Sequence, residues 1–255
     1  MVHATAFHSP ATPEHRWHHV DLRDGGTGAV ALIRRLRPAA VVNAAYVPAG
    51  PDLDIVTARA PGVLAEATAE VGARLVHLSS DIVFAGTSDR PYTEDDPPSP
   101  VNAYGRAKAH AEHAVLDADP TAAVVRTSLL WGDPPDGGPQ VALALDRAAT
   151  FYTDEIRAPL RVDRLAHACR ELAGRPDIRG VLHVAGADAV DRCTFARLLR
   201  RHLGHRDEPR GAPGPVAPPR PKQCVLDSSR AASLLATPLP GVRSDTSPCD
   251  PAPPG

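Results

Sequence analysis

Leu75-Val76-His77-Leu78-Ser79-Ser80-Asp81-Ile82-Val83-Phe84, followed by Tyr104-Gly105-Arg106-Ala107-Lys108, is the stretch that decides the fold. Its first part is a short apolar run, the pattern of a buried strand, with hydroxyl and acidic residues at its end. Its second part opens an alanine-rich helix expected over 106–116. Tyr104 and Lys108 are four residues apart, so one helical turn places both side chains on one face. A strand, a hydroxyl at its end and a following helix form part of a βαβ unit.

Outward from this stretch the same alternation repeats. Strands are expected over 2–7, 39–43, 74–79, 122–128 and 181–185. Helices are expected over 29–36, 63–71, 163–172 and 194–203, with Asp163 as an N-cap. Strands separated by helices imply parallel βαβ units with right-handed crossovers, hence an α/β fold with a doubly wound parallel sheet. The continuously apolar Ala40-Val41-Val42 suits a sheet covered on both faces. The Pro-, Gly- and Arg-rich run 206–222 reads as a linker or surface loop. Three regions follow: 1–135 as an incomplete dinucleotide-binding domain, 136–235 as a substrate-binding lobe with returning Rossmann elements, and 236–255 as a disordered Pro-rich tail.

Bulk properties narrow the function. The chain has 255 residues, a formal net charge of −2 and 43% hydrophobic residues. That balance points to neither a nucleic acid nor a membrane surface as partner. The N-terminus lacks a signal-peptide pattern, and no apolar run approaches the roughly 20 residues of a membrane span. Cys169, Cys193, Cys224 and Cys249 are widely spaced, as reduced thiols of a cytoplasmic protein are. A homodimer is carried as an expectation, although the sequence does not set the oligomeric state.

The Tyr–Lys pair carries the chemistry. A Lys ammonium near a Tyr hydroxyl favours the phenolate and lowers the Tyr pKa. A Ser80 hydroxyl beside them can hold a substrate carbonyl, and the set forms a proton donor matched to a hydride donor. With 4 Tyr and only two lysines, Lys108 and Lys222, the spacing arises by chance only roughly 0.03 times. The bland alternative is a Tyr in a helix packing interface and a solvated Lys.

Several segments together resemble the extended short-chain dehydrogenases of the dTDP-4-dehydrorhamnose reductase, or sugar-nucleotide-binding, family. They are Ser79 to Phe84, Pro91-Tyr92-Thr93-Glu94, and Pro100 to Lys108 with Glu112. Asp21-Leu22-Arg23-Asp24 is similar to that family's turn beside the adenine, and Val42-Asn43-Ala44-Ala45-Tyr46 to its strand end against the cofactor. Val125-Arg126-Thr127-Ser128 resembles the strand behind the nicotinamide. Asp154 to Pro159, Leu182 to Gly186 and Arg220 to Ser229 resemble later signatures, so the likeness covers about residues 2–235. The resemblance implies a Rossmann-like sheet, NADP or NAD as cofactor, and a nucleotide-linked 4-keto-6-deoxysugar as substrate. It implies Tyr104 as the acid, Lys108 as the group that lowers its pKa and binds the nicotinamide ribose, and Ser80 as the residue that orients the carbonyl. Cofactor contacts are implied at Asp21, Leu22, Ala44, Ala45, Tyr46, Ser79, Tyr104, Lys108, Thr127 and Ser128. Substrate contacts are expected at Ser80, Asp81, Leu129 and Arg157, the last as a diphosphate partner.

Two departures matter. A family member opens with a strand, a glycine-rich turn and a helix, whose backbone N–H groups approach the pyrophosphate. This chain begins at what resembles the second strand, and Gly25-Gly26-Thr27-Gly28 lies too late to be that turn. Loss of the first strand unpairs two neighbours and exposes apolar surface. The true start is expected upstream, or the chain is a damaged or repurposed relative. Leu129 stands where rhamnose-pathway enzymes carry a Trp, which leaves the sugar open.

Other signals read as structural. His15-Arg16-Trp17-His18-His19 matches no common zinc spacing and reads as surface histidines, and no metal site is expected. His110 and His113 read as a solvated helix face. His77 and His183 read as satisfied core histidines, and Trp131 as core. The leading function is NAD(P)H-dependent reduction of a nucleotide-linked 4-keto-6-deoxysugar. A non-catalytic sugar-nucleotide-binding or regulatory relative, or an inactive fragment, is the alternative.

Overall fold

Around the seven-residue strand Arg74–Ser80 the rest of the chain is arranged. The computed structural model describes residues 2–6, 16–135 and 137–247. In chain order the strands are β1 (His3–Ala6), β2 (Arg16–His19), β3 (Ala40–Asn43), β4 (Arg74–Ser80), β5 (Ala123–Thr127), β6 (Leu130–Trp131), β7 (Thr150–Tyr152), β8 (Ile156–Arg157), β9 (Leu160–Arg161), β10 (Gly180–His183), β11 (Val190–Asp191), β12 (Arg210–Ala212) and β13 (Gln223–Cys224). The helices are α1 (Thr27–Leu36), α2 (Ala60–Val71), α3 (Ala103–Ala118), α4 (Gly138–Leu145), α5 (Val162–Ala173), α6 (Arg192–His202), α7 (Ser229–Leu234) and α8 (Val242–Asp245).

The main sheet is parallel, in the order β10-β5-β4-β3. Successive β4 side chains point to opposite faces, which the core clusters follow. Leu75 packs with Ala65, Val115 and Val124, on the side of α2 and α3. Val76 packs with Val125, Leu165, Leu172 and Leu182, on the side of α5. Each such buried side chain contributes about 1.5–3 kcal/mol relative to exposure. Helices on both faces of a parallel sheet make the fold Rossmann-like and doubly wound.

The sheet is split. β1 pairs with β2, Ala4 opposite Trp17, and among the described residues neither strand pairs with β3. Between β1 and β3 runs a groove of about 600 Å³, lined by Ala6, Leu22, Ile33, Val41, Val42 and Tyr46 among others. Val42, in the middle of β3, is 46% exposed. Among the described residues β3 has no strand partner on the side away from β4, and apolar side chains line the groove beside it. The β1–β2 pair is tied in through α1, whose Ala29 and Ile33 pack on Leu64 and Ala67 of α2.

Beyond β5 the chain builds the lobe. Its core joins Trp131, Val141, Phe151, Val190, Phe195 and Leu199. A three-stranded sheet, β11-β8-β13, stands between the lobe and the main sheet's loops.

Four expectations are corrected. Arg16–His19 is a strand, with the His18 ring stacked on His3. Arg161, not Asp163, is the N-cap of α5; Asp163 lies in the first turn and is bound by Arg161 and the Arg164 N–H. Part of the expected loop 206–222 is β12, paired with β7. Residues 236–247 are not a disordered tail: the Ala236 and Thr237 N–H groups donate to Glu171, and Val242 is fully buried in the lobe core. Phe7, His8-Ser9-Pro10, His15, Cys249 and the remainder of the tail lie outside the described residues.

Candidate active site

Ser80 is the last residue of β4 and caps a short turn over 81–83. Its hydroxyl lies 3.1 Å from Asp81 Oδ1 and accepts from the Ile82 N–H at 3.5 Å. Tyr104 opens α3, where Asn102 Oδ1 caps the helix by accepting from the Gly105 N–H at 2.7 Å. Gly105 sets the approach, because a Cβ there would overlap the Ile82 carbonyl oxygen. The first turn of α3 therefore sits directly on the Ser80–Val83 turn, and Tyr104 with it.

Lys108 follows one turn later and is 3% exposed. Its ammonium donates to the Leu78 carbonyl at 2.9 Å, and so is fixed to β4. The same nitrogen is 5.9 Å from the Tyr104 ring centroid and 5.5 Å from that of Tyr46. The two Tyr rings are 5.9 Å apart. Burial lowers the Lys108 pKa to about 8, opposed by the charge of Glu112. Burial also lifts the Tyr104 hydroxyl well above the usual phenol range, with Tyr46 and Asp81 adding to it. The expected lowering of Tyr104 by Lys108 is thus overturned by desolvation, and Tyr104 stays protonated at neutral pH.

Beneath these residues lies a buried polar network. Arg126 on β5 holds Glu112 of α3 through paired hydrogen bonds, Nε at 3.0 Å and Nη2 at 2.8 Å. Ser79 donates to Glu112 at 2.5 Å. The Ser79 side chain is committed to this buried network. The His183 ring nitrogen meets the Tyr92 carbonyl at 3.1 Å and the His183 N–H donates to Glu94. His77 is only half satisfied: Nδ1 meets Asn43 at 3.2 Å, while Nε2 has no partner among the described residues. Trp131 is buried in the lobe core.

Asp81 accepts from the Ser128 hydroxyl at 2.7 Å, and burial raises its pKa. Arg157 is 4% exposed and sits 3.7 Å from Asp81. Its guanidinium donates to the carbonyls of Ile156, Lys222 and Pro221 at 2.8, 3.0 and 2.6 Å. These bonds pin the start of β13 to β8. Leu129 is half-buried against the lobe core. Thr127, at the end of β5, is buried with its hydroxyl unpaired among the described residues.

At the far end, Asp21, Leu22, Ala45 and Tyr46 line the groove beside β3, with Ala44 exposed next to them. Hydrogen bonds from Arg23 hold the Asp21 carboxyl below its usual range. Sequence reasoning left the roles of Glu112 and Arg126 unread, although Glu112 lies one turn beyond Lys108 on the same face. Arg192, close to Asp81 and Glu155, carried no sequence signal at all.

Similarities to known proteins run the length of this architecture. Over 194 residues the chain is 38% identical to dTDP-4-dehydrorhamnose reductase of Mycolicibacterium smegmatis, covering 72% of this chain and 59% of that protein. It is 33% identical over 197 residues to methionine adenosyltransferase 2 subunit beta of Rattus norvegicus, covering 69% of this chain and 56% of that one. The chain thus matches under two thirds of the length of these relatives. A solved dTDP-4-dehydrorhamnose reductase from Bacillus anthracis, in complex with NADP, superposes with a TM-score of 0.79 at 21% identity, covering 91% of this chain and 89% of that one, which shows the shared fold. Residues 3–249 match the family described as the RmlD substrate binding domain, and the chain belongs to that family.

Proposed function

We propose that this protein reduces a 4-keto-6-deoxysugar linked to a nucleoside diphosphate, using NADPH or NADH. The observation that carries the proposal is the convergence of Ser80, Tyr104 and Lys108 where β4 ends and α3 begins. A ketone needs a proton on oxygen and a hydride on carbon. Tyr104, held protonated, is the donor to the carbonyl oxygen. Lys108 then faces the phenolate left behind and stabilises it. Ser80 fixes the carbonyl beside the phenol. The nicotinamide cofactor, when bound, supplies the hydride.

Two ends of the cofactor find partners in this chain. The groove between β1 and β3 offers Asp21 and Leu22 at one end, and Tyr46 beside Lys108 at the other. These would hold the adenosine and nicotinamide ends. None of the described residues lining the groove is a glycine. The assembled Ser80, Tyr104 and Lys108 favour the enzyme over a non-catalytic relative.

Localisation in the cytoplasm and a homodimer belong to this reading. Three buried free thiols, Cys169, Cys193 and Cys224, suit a reducing compartment. Among the described residues no helix is long and apolar enough to cross a membrane.

The test follows nicotinamide absorbance in a mixture of the purified chain, NADPH or NADH, and a 4-keto-6-deoxysugar nucleotide. Substrate-dependent oxidation of the cofactor is expected. A folded chain that oxidises neither cofactor with any such substrate would support the non-catalytic role.

A further inference from the structure

Lys108 carries its charge in a place nearly closed to water. It is 3% exposed, and the Leu78 carbonyl is the one acceptor its ammonium meets among the described residues. A buried ammonium with a single acceptor favours its neutral form unless a negative charge stands near.

The groups around it come from several elements. Tyr104 and Glu112 share its helix, α3. The Tyr46 ring, after β3, lies 5.5 Å from the ammonium. β4 brings His77, which is fully buried and held neutral by desolvation. Asp81, in the turn after β4, is occupied by Ser128 and lies 3.7 Å from Arg157. On segment 53–59 and α2, which pack against α3, the charged residues Asp54, Arg59, Glu66 and Glu70 are exposed. Glu112 is the buried carboxylate on the same helix as Lys108.

Two anchors place that carboxylate beside the ammonium. The first is the helix: residues four apart lie one turn apart on one face. The second is β4. The ammonium sits on the Leu78 carbonyl, and the carboxylate accepts from the Ser79 hydroxyl at 2.5 Å. Leu78 and Ser79 share one peptide unit, so both charges are tied to adjoining groups of one strand. Arg126 grips the carboxylate from β5 at 3.0 and 2.8 Å, which stops it from turning away. We infer that Glu112 is a positioning residue for Lys108: its fixed carboxylate keeps the buried ammonium charged and so ready to face the Tyr104 phenolate. The effect on turnover rests on the proposed reductase reading; the effect on the Lys108 proton does not.

The test is carbon NMR of the full chain labelled at the lysine ε-carbon. The sequence holds only Lys108 and Lys222, so two signals are expected, and Lys222→Arg assigns them. In wild type the Lys108 signal is expected to titrate near pH 8. Glu112→Gln keeps the shape and removes the charge. It should lower that midpoint by about one to two pH units, the effect of one charge about 6–8 Å away in a partly polar interior. Glu112→Asp keeps the charge and should stay within about half a pH unit of wild type. A role confined to tying α3 to β5 would cost stability in both variants and move neither midpoint. An unmoved Lys108 midpoint in folded Glu112→Gln would therefore overturn the inference. If that variant does not fold, Glu112→Gln with Arg126→Gln removes both buried charges together. The midpoint should again fall, by about half a pH unit or more, and an unmoved one would overturn the inference equally. Turnover separates this from the parent reading. In an active enzyme the alkaline limb of kcat/KM should move down with the Lys108 midpoint in Glu112→Gln, and a limb that stays in place would overturn the link to the phenolate. A lowered midpoint in a chain that reduces no 4-keto sugar nucleotide would sink the reductase and leave the charge coupling.

Discussion

The two sides of β3 are built differently. Toward β4 and β5, every strand is paired, Lys108 is bound to the Leu78 carbonyl, and a buried Ser79–Glu112–Arg126 network lies beneath. Toward β1, among the described residues, β3 has no strand partner, and the wall is an apolar groove with Val42 exposed. The first side holds the groups that would move a proton, and it is over-determined by buried contacts. The second side would face most of the cofactor, and it is held chiefly by α1 packing on α2. Competence of the reaction centre and retention of the cofactor are therefore separable properties in this chain, and mutations should divide along that line.

The largest effect is expected at the phenol. Tyr104→Phe removes the proton donor without changing the packing, and kcat for ketone reduction should fall about 10²- to 10⁴-fold while cofactor affinity stays nearly constant. Unchanged turnover would remove Tyr104 from the mechanism. Next is the network below it. Glu112→Ala leaves Arg126 buried without its counter-charge and should cost about 3–5 kcal/mol in a urea melt. A loss under about 1 kcal/mol would mean that this side is less tightly built than its hydrogen bonds indicate.

Lys108 gives a graded effect. Its folded pKa, about 8, lies below the ordinary lysine value of 10.5. The unfolded chain therefore binds more protons between those values, and the Lys108 contribution to stability rises with pH there. Catalysis should run the other way. As Lys108 loses its charge above about pH 8, kcat/KM for the reductase should fall about tenfold per pH unit, because the phenolate loses its cation. A pH profile with no alkaline limb before pH 10 would place the Lys108 charge outside the reaction. The smallest effect belongs to the groove. Val42→Thr on the open edge should change stability by less than about 0.5 kcal/mol, since its side chain is already half in water. A loss above about 2 kcal/mol would show that the groove is closed in solution.

The main sheet was legible because its strands are apolar and its helices periodic, so β3, β4, β5 and their helices fall within a few residues of expectation. Arg16–His19 escaped because an edge strand of Arg, Trp and two His carries no apolar alternation. The tail misled because Pro-rich composition says nothing of a single anchor such as Val242, buried in the lobe core. The Tyr104–Lys108 pair was readable from helical spacing alone. The lobe's charges were not: Arg157 and Arg192 differ in which carbonyls and carboxylates, distant in sequence, the fold brings to them. The direction of the Tyr104 shift was also hidden, because spacing places the Lys nearby but does not measure burial.

The most direct test of the central claim is a fluorescence titration of NADPH into the folded chain and into Lys108→Met. The account predicts saturable binding by the wild-type chain, weakened in Lys108→Met. A cooperatively folded chain that shows no saturable binding of NADPH or NADH would contradict it.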